Sequence, residues 1–77
     1  MPEKLPVISG KEAMKAFEKA GWLFVRVGSS RHHIYKKSGM ITTLSIPDHK
    51  ILDRGLLRSL IRDAFMTIDE FCNYVNK

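Results

Sequence analysis

The sequence predicts an α+β fold with two layers in the order α-β-β-β-α, followed by a short extra helix. Three observations predict it. Amphipathic segments with apolar residues at helical spacing lie on either side of a central stretch, and that stretch is rich in aromatic and β-branched residues. Gly- and Ser-containing turns divide the stretch into three segments. Strands joined by tight turns pair antiparallel, and helices must cover the apolar face of such a sheet.

The first helix is predicted over residues 10–20, after an extended lead-in over residues 1–8. Ser9 is a suitable N-cap, with Glu12 three residues later as in a capping box. Gly21 is typical of the position that ends a helix.

The three strands are predicted over residues 22–27, 31–37 and 40–46. The turn Gly28-Ser29-Ser30 separates the first two strands, and Pro47 ends the third because proline cannot donate to a ladder of backbone hydrogen bonds. The pattern therefore predicts an antiparallel meander.

Two further helices are predicted near the end of the chain. Asp53 is a plausible N-cap for a helix over residues 54–65. Thr67, with Glu70 as its capping-box partner, begins a short helix over Ile68–Val75.

Size and composition indicate one small, basic domain over residues 1–77. The formal net charge is +5, which favours nucleic acid, an acidic protein or an anionic membrane as a partner. No apolar run approaches the roughly 20 residues of a membrane span, and the first residues lack a signal sequence. Cys72 is the only cysteine, which suits a reducing compartment. We therefore expect a cytoplasmic protein with no membrane association.

The dipeptide His32-His33 follows the Ser-containing turn among cationic residues. Histidine exchanges protons near neutrality, and RNA supplies its own nucleophile, the 2′-OH. Imidazole, cations and hydroxyls therefore suffice for RNA cleavage. Neighbouring strand residues point to opposite faces, and the pattern alone leaves the choice between the two histidines open. His49, beside Lys50, is a second candidate, although a loop histidine that caps backbone groups is the more common case.

We expect neither a metal nor a small-molecule cofactor. Adjacent strand histidines do not face one ion, the carboxylates are scattered, and no HExxH motif is present. A chain of 77 residues also has little room for both a core and a large cofactor site.

Several fragments, in their order and spacing, resemble one known family. They are residues 5–12, Ala20-Gly21-Trp22, Val25-Arg26, His32-His33-Ile34-Tyr35, Pro47 with His49 and Lys50, and residues 55–61. Together they are similar to the HicA family of mRNA interferase toxins, which pair with HicB antitoxins. The chain departs from the family pattern in the residues before His32, where Ser30-Arg31 replaces Gly-Ser. It departs again after the second helix, where Ala64-Phe65-Met66-Thr67 replaces Ala-Gly-Leu-Ser, and at Leu56, which replaces Thr.

The resemblance implies a fold similar to a double-stranded-RNA-binding domain, mRNA as substrate and a HicB-like antitoxin as partner. It also selects His32 as the catalytic residue, because the family's histidine lies three residues before the position of Tyr35.

The expected chemistry is metal-independent cleavage of RNA. His32 would act as general base on a 2′-OH or as general acid on the 5′-oxygen leaving group. Cationic and hydroxyl side chains would hold phosphate or stabilise the developing charge. The residues expected to bind RNA are Arg26, Ser29, Ser30, Arg31, Lys36, Lys37, His49 and Lys50.

Two other functions fit the same sequence. A non-catalytic RNA-binding module of this fold needs basic residues but no accessible imidazole. A protein-interaction domain would use its basic face only to dock an acidic partner, and it would show no salt-dependent affinity for RNA.

Overall fold

Three helices and a three-stranded sheet form the structure, a computed structural model that describes residues 5–76. The helices are α1 (Gly10–Lys19), α2 (Arg54–Asp63) and α3 (Ile68–Val75), and the strands are β1 (Leu23–Val27), β2 (His32–Lys36) and β3 (Leu44–Pro47). The predicted α+β class, the element order and the likeness to a double-stranded-RNA-binding domain are confirmed. Residues 1–4 of the predicted lead-in lie outside the described residues.

The helices begin where the local sequence predicted. Ser9 and Glu12 form a reciprocal capping box at α1, and Thr67 and Glu70 form another at α3. The Asp53 side chain accepts a backbone hydrogen bond in the first turn of α2. These polar groups accept hydrogen bonds from amides that have no partner inside the helix. The start of each helix is therefore determined by residues at its own N-terminus.

The sheet is an antiparallel meander in which β2 is central. Tyr35 of β2 pairs with Leu44 of β3, and both side chains are buried on the face covered by the helices. Ile34, the residue before Tyr35 in β2, pairs with Ser45 and belongs to the opposite face. The register therefore separates a core face from an open face.

The third strand is shorter and lies later than predicted. It begins at Leu44, so residues 40–43 belong to a loop in which the Ile41 side chain is fully exposed. The reason is that β2 ends at Lys36, so residues 40–42 have no strand opposite them, and Tyr35–Leu44 is the last paired position on that side. Pro47 does not follow the strand but forms its last residue, opposite His32.

The second helix ends two residues before the predicted position. Asp63 is its last residue, and Phe65 has a left-handed backbone with φ of 57°. The amide of Met66 donates to the carbonyl of Ile61 across this turn at 3.1 Å. Such a turn after a helix normally favours glycine, and the Phe65 side chain is left largely exposed.

The core lies between the helices and β3. Phe17 of α1 and Phe71 of α3 are fully buried, with ring centroids 4.9 Å apart. Leu44 and Ile46 of β3 complete the same cluster from the sheet. The helical layer packs mainly on β3, whereas all five residues of β1 are exposed.

Gly10 permits the close approach of α1 to the end of β3. A β-carbon built on Gly10 would lie 2.0 Å from the carbonyl oxygen of Pro47, far inside contact distance. The Gly10 amide donates to the carbonyl of His49 at 2.8 Å. Only a residue without a side chain fits this contact.

Candidate functional site

An open depression lies on the face of the sheet opposite the helices. It is lined by Arg26, Gly28, Ser29, Ser30, His32, Ile34 and Ser45. Four of the predicted site residues, Arg26, Ser29, Ser30 and His32, are therefore brought together. The depression combines an imidazole, a guanidinium group and hydroxyls.

The strand register explains why these side chains meet. Arg26 pairs with Ile34, and Ile34 pairs with Ser45, so the three side chains share one face across all three strands. His32 lies two residues before Ile34 and therefore points to the same face. A bulge in β1 between Phe24 and Arg26 turns Arg26 to this side.

A tight turn closes one end of the depression. Residues Ser29–Arg31 form a single 3₁₀ turn, and the Gly28 amide donates to the carbonyl of His32 at 2.6 Å. Ser30 and Arg31 both have left-handed backbones, with φ of 56° and 59°. That conformation costs about 1–2 kcal/mol per non-glycine residue. Backbone strain of this kind is often found at functional sites.

The turn also holds the His32 ring. Its Nδ1 lies 3.1 Å from the carbonyl oxygen of Ser29 and 3.2 Å from that of Ser30. Because a carbonyl oxygen only accepts, Nδ1 must carry the proton in these hydrogen bonds. Nε2 of the neutral ring is then left as the proton acceptor, which is the form that a general base requires.

His33 occupies a different environment. Its ring packs against Phe24 on the opposite face of the sheet, with centroids 5.7 Å apart, and its Nδ1 lies 3.3 Å from the carbonyl oxygen of Arg31. It does not line the depression. The geometry thus distinguishes two histidines that the residue pattern treats as equivalent.

Lys37 is engaged elsewhere. Its Nζ donates to the carbonyl of Ala20 at 2.9 Å and so caps the C-terminal end of α1. Arg31 and Lys36 are exposed but do not line the depression, although Lys36 extends from the same face of β2 as Ile34. None of these three cations lines the depression.

His49 and Lys50 also lie outside the depression. Both are exposed in the loop after β3, which is attached to α1 through the Gly10 amide. This loop leaves the sheet at the end where His32 pairs with Pro47. Any contact that His49 and Lys50 make with RNA would therefore lie at the margin of the depression.

Ile34 and Ser45 belong to the site but were not predicted from the sequence. The alternation Leu44-Ser45-Ile46 contains the relevant signal, since a polar residue between two core residues must face outward. Without the register, that signal does not show that Ser45 lies beside His32.

Tyr35 lies in the core rather than in the site. Its hydroxyl donates to a carboxylate oxygen of Glu18 at 2.5 Å. Burial, followed by this hydrogen bond and the charge of Glu18, raises the pKa of Tyr35 well above its usual range. Tyr35 thus remains a neutral hydrogen-bond donor that links the sheet to α1.

Charge is distributed unevenly along the chain. No carboxylate occurs between Glu18 and Asp48, whereas Arg26, Arg31, Lys36 and Lys37 all lie in the sheet or its turns. Outside residues 19–47, by contrast, cations and carboxylates are equal in number, with eight of each. The net positive charge therefore resides in the segment that builds the depression.

Residues 5–76 contain neither a cluster of metal-ligating side chains nor a membrane-spanning helix. No group of three or more His, Cys, Asp or Glu side chains in this range is placed to hold a metal ion. None of the helices described combines the length and the apolar character needed to cross a bilayer.

The chain matches a known protein family. A family model described as HicA toxin of bacterial toxin-antitoxin matches residues 10–65 of the 77-residue chain. The match spans α1, the whole sheet and α2, and it includes every residue that lines the depression. No curated protein matches the chain.

Proposed function

Because this chain belongs to the HicA family of toxins in bacterial toxin–antitoxin systems, we propose that it is a metal-independent endoribonuclease that cleaves mRNA. The observation that carries the proposal is the environment of His32. Its Nδ1 is held by two backbone carbonyls, while the ring lies in a basic, open depression. The proposed unit of function is a single domain over residues 1–77, acting in the cytoplasm.

In the proposed reaction, Nε2 of His32 takes the proton of a ribose 2′-OH. The 2′-oxygen attacks the adjacent phosphorus, and the bond from phosphorus to the 5′-oxygen breaks. The proton is then returned to the 5′-oxygen, which leaves as a hydroxyl. The products are a 2′,3′-cyclic phosphate and a 5′-hydroxyl end. A single histidine serves both steps in turn, so we expect a modest turnover.

Arg26 is the cation best placed to hold the scissile phosphate. It lines the same depression as His32, and a guanidinium group donates two parallel hydrogen bonds to phosphate oxygens. The Ser29 and Ser30 hydroxyls lie on the adjoining turn and would bind a neighbouring phosphate. Arg31, Lys36, His49 and Lys50 would attract the RNA around the site.

A toxin of this family has an antitoxin as its partner. We propose that the antitoxin is HicB-like and inhibits by covering the His32 depression. An acidic surface on it would complement the basic sheet.

The decisive experiment incubates purified protein with a defined RNA in EDTA and maps the cut ends. We expect His32→Ala to lower the cleavage rate by about 100-fold or more, the range attributed to general acid–base catalysis. His33→Ala is the matched control and should retain most of the activity. An RNA with a single 2′-deoxy substitution at the cut position should resist cleavage by the wild type.

The outcomes separate the candidate functions. Equal cleavage by wild type and His32→Ala would remove His32 from the mechanism. Cleavage of the 2′-deoxy RNA at the same position would contradict the 2′-OH as nucleophile. RNA that stays intact but binds the folded wild type with strong salt dependence would instead favour the non-catalytic RNA-binding module. The absence of carboxylates from the sheet is compatible with that function as well.

A further inference from the structure

The outer edge of β1 is a free sheet edge with an unusual surface. Among residues 5–76, strand order places β1 at one side of the sheet, where it pairs with β2 and with no other strand. Leu23, Phe24, Val25 and Val27 are 69%, 50%, 47% and 52% exposed. Free edges in stable proteins are usually protected by charge or by covering elements, but Arg26 is the only charged residue of this strand.

The backbone of this edge is available for pairing. The Gly28 amide donates inward, to the carbonyl of His32. Consecutive amides on a strand point to opposite sides, so the amide of Val27 points away from β2 and toward solvent. An extended peptide can therefore continue the ladder at this position.

The charges around β1 indicate the chemistry of the partner. The segment from Lys19 to Pro47 contains no carboxylate, and Arg26 lies on the edge strand itself. A second copy of this chain would bring together two molecules that each carry a net charge of +5, which opposes association. An acidic protein strand with apolar side chains complements both properties of the edge.

We infer that the free edge of β1 binds an extended, acidic strand of a partner protein, which adds to the sheet as a fourth strand. The inference rests on the proposed function in one respect, namely that the partner is the inhibitory antitoxin. Main-chain hydrogen bonds would supply affinity, and the exposed apolar side chains of β1 would pack on alternate residues of the added strand.

The position of this edge connects binding with inhibition. Arg26 belongs to β1 and also lines the depression that contains His32. A strand added at β1 would run beside that depression, and an acidic residue on it would reach the Arg26 guanidinium. The partner would thereby compete for the cation that we assign to RNA phosphate.

The test measures backbone amide exchange and affinity in the complex of the full chain with its antitoxin. We expect the Val27 amide to exchange quickly in the free chain and to become protected in the complex. Val27→Pro removes this outward donor without breaking a hydrogen bond to β2, and it should weaken antitoxin binding by about tenfold. Ile41→Gln changes a fully exposed apolar residue in a loop without altering the charge, and it is the matched control, with unchanged affinity.

Each result decides for or against the inference. Protection of Val27 together with weaker binding of Val27→Pro supports it. A Val27 amide that still exchanges quickly in the saturated wild-type complex overturns it, whether or not Val27→Pro folds. Protection in the free chain, with dimers seen by sedimentation, would assign the edge to a second copy, and protection by RNA alone would assign it to substrate. RNA cleavage by the free chain is measured separately, so failure of the ribonuclease proposal does not obscure the edge result.

Discussion

The two outer strands of the sheet differ in how the fold treats them. On β3, Leu44 and Ile46 are completely buried under the helices, and Gly10 brings α1 into contact with the strand end. On β1, every residue is exposed, and Arg26 points into the depression of the open face. The comparison indicates that one side of the sheet contributes the core, while the other side leaves its side chains exposed, where we propose recognition and chemistry.

The largest effect should come from two phenylalanines on opposite sides of this division. Phe71 is fully buried against Phe17, whereas Phe24 on β1 is half-exposed. Phe71→Ala should lower the free energy of unfolding by about 3–5 kcal/mol. Phe24→Ala should cost only about 1 kcal/mol, since little apolar area is lost and only its ring contacts are removed. Urea unfolding followed by circular dichroism measures both, and equal losses would contradict the division.

A smaller effect is expected at two glycines near the ends of the strands. Gly10→Ala places a methyl group against the Pro47 carbonyl and should destabilise the fold by about 2 kcal/mol. At Gly28 an added β-carbon meets its nearest atoms at 3.5 and 3.6 Å, and φ is −87°, so Gly28→Ala should fold almost as well. Thermal unfolding of the two variants compares them directly. A Gly10→Ala protein as stable as Gly28→Ala would show that α1 is not held tightly on β3.

The smallest change should be a gain in stability. Phe65 adopts a left-handed backbone with an exposed side chain, so Phe65→Gly relieves strain at little loss of packing. We expect the free energy of unfolding to rise by about 1 kcal/mol. Arg58→Gly, in the exposed interior of α2, should lower it by about the same amount. If Phe65→Gly is instead destabilising, the Phe65 ring contributes packing that its exposure does not reveal.

Local chemistry made much of the fold predictable. Each helix start follows from a polar residue and its partner within four positions, as at Ser9 and Thr67, and the element order follows from turns and periodicity. The end of α2 was less predictable, because Phe65 takes a backbone conformation that its residue type disfavours. The late start of β3 depends on where β2 ends, which is a property of the pairing and not of residues 40–43.

The site was predictable in composition but not in geometry. The chain pattern identified Arg26, Ser29 and Ser30, and the family resemblance selected His32. The structure brings these four residues together. The sequence did not identify Ser45, because that residue becomes a neighbour only through strand register. It also gave no sign that β1 would remain uncovered, since the helices' position on β3 depends on packing between distant segments.

The uneven distribution of carboxylates has a kinetic consequence. The positive charge is concentrated in the sheet. The field of an approaching polyanion therefore turns the sheet side of the protein toward the polyanion before contact. Substrate RNA and an acidic inhibitor would be guided along the same field, and added salt would slow both encounters. Which of the two binds first then depends on their concentrations, so RNA and inhibitor would compete through their rates of association.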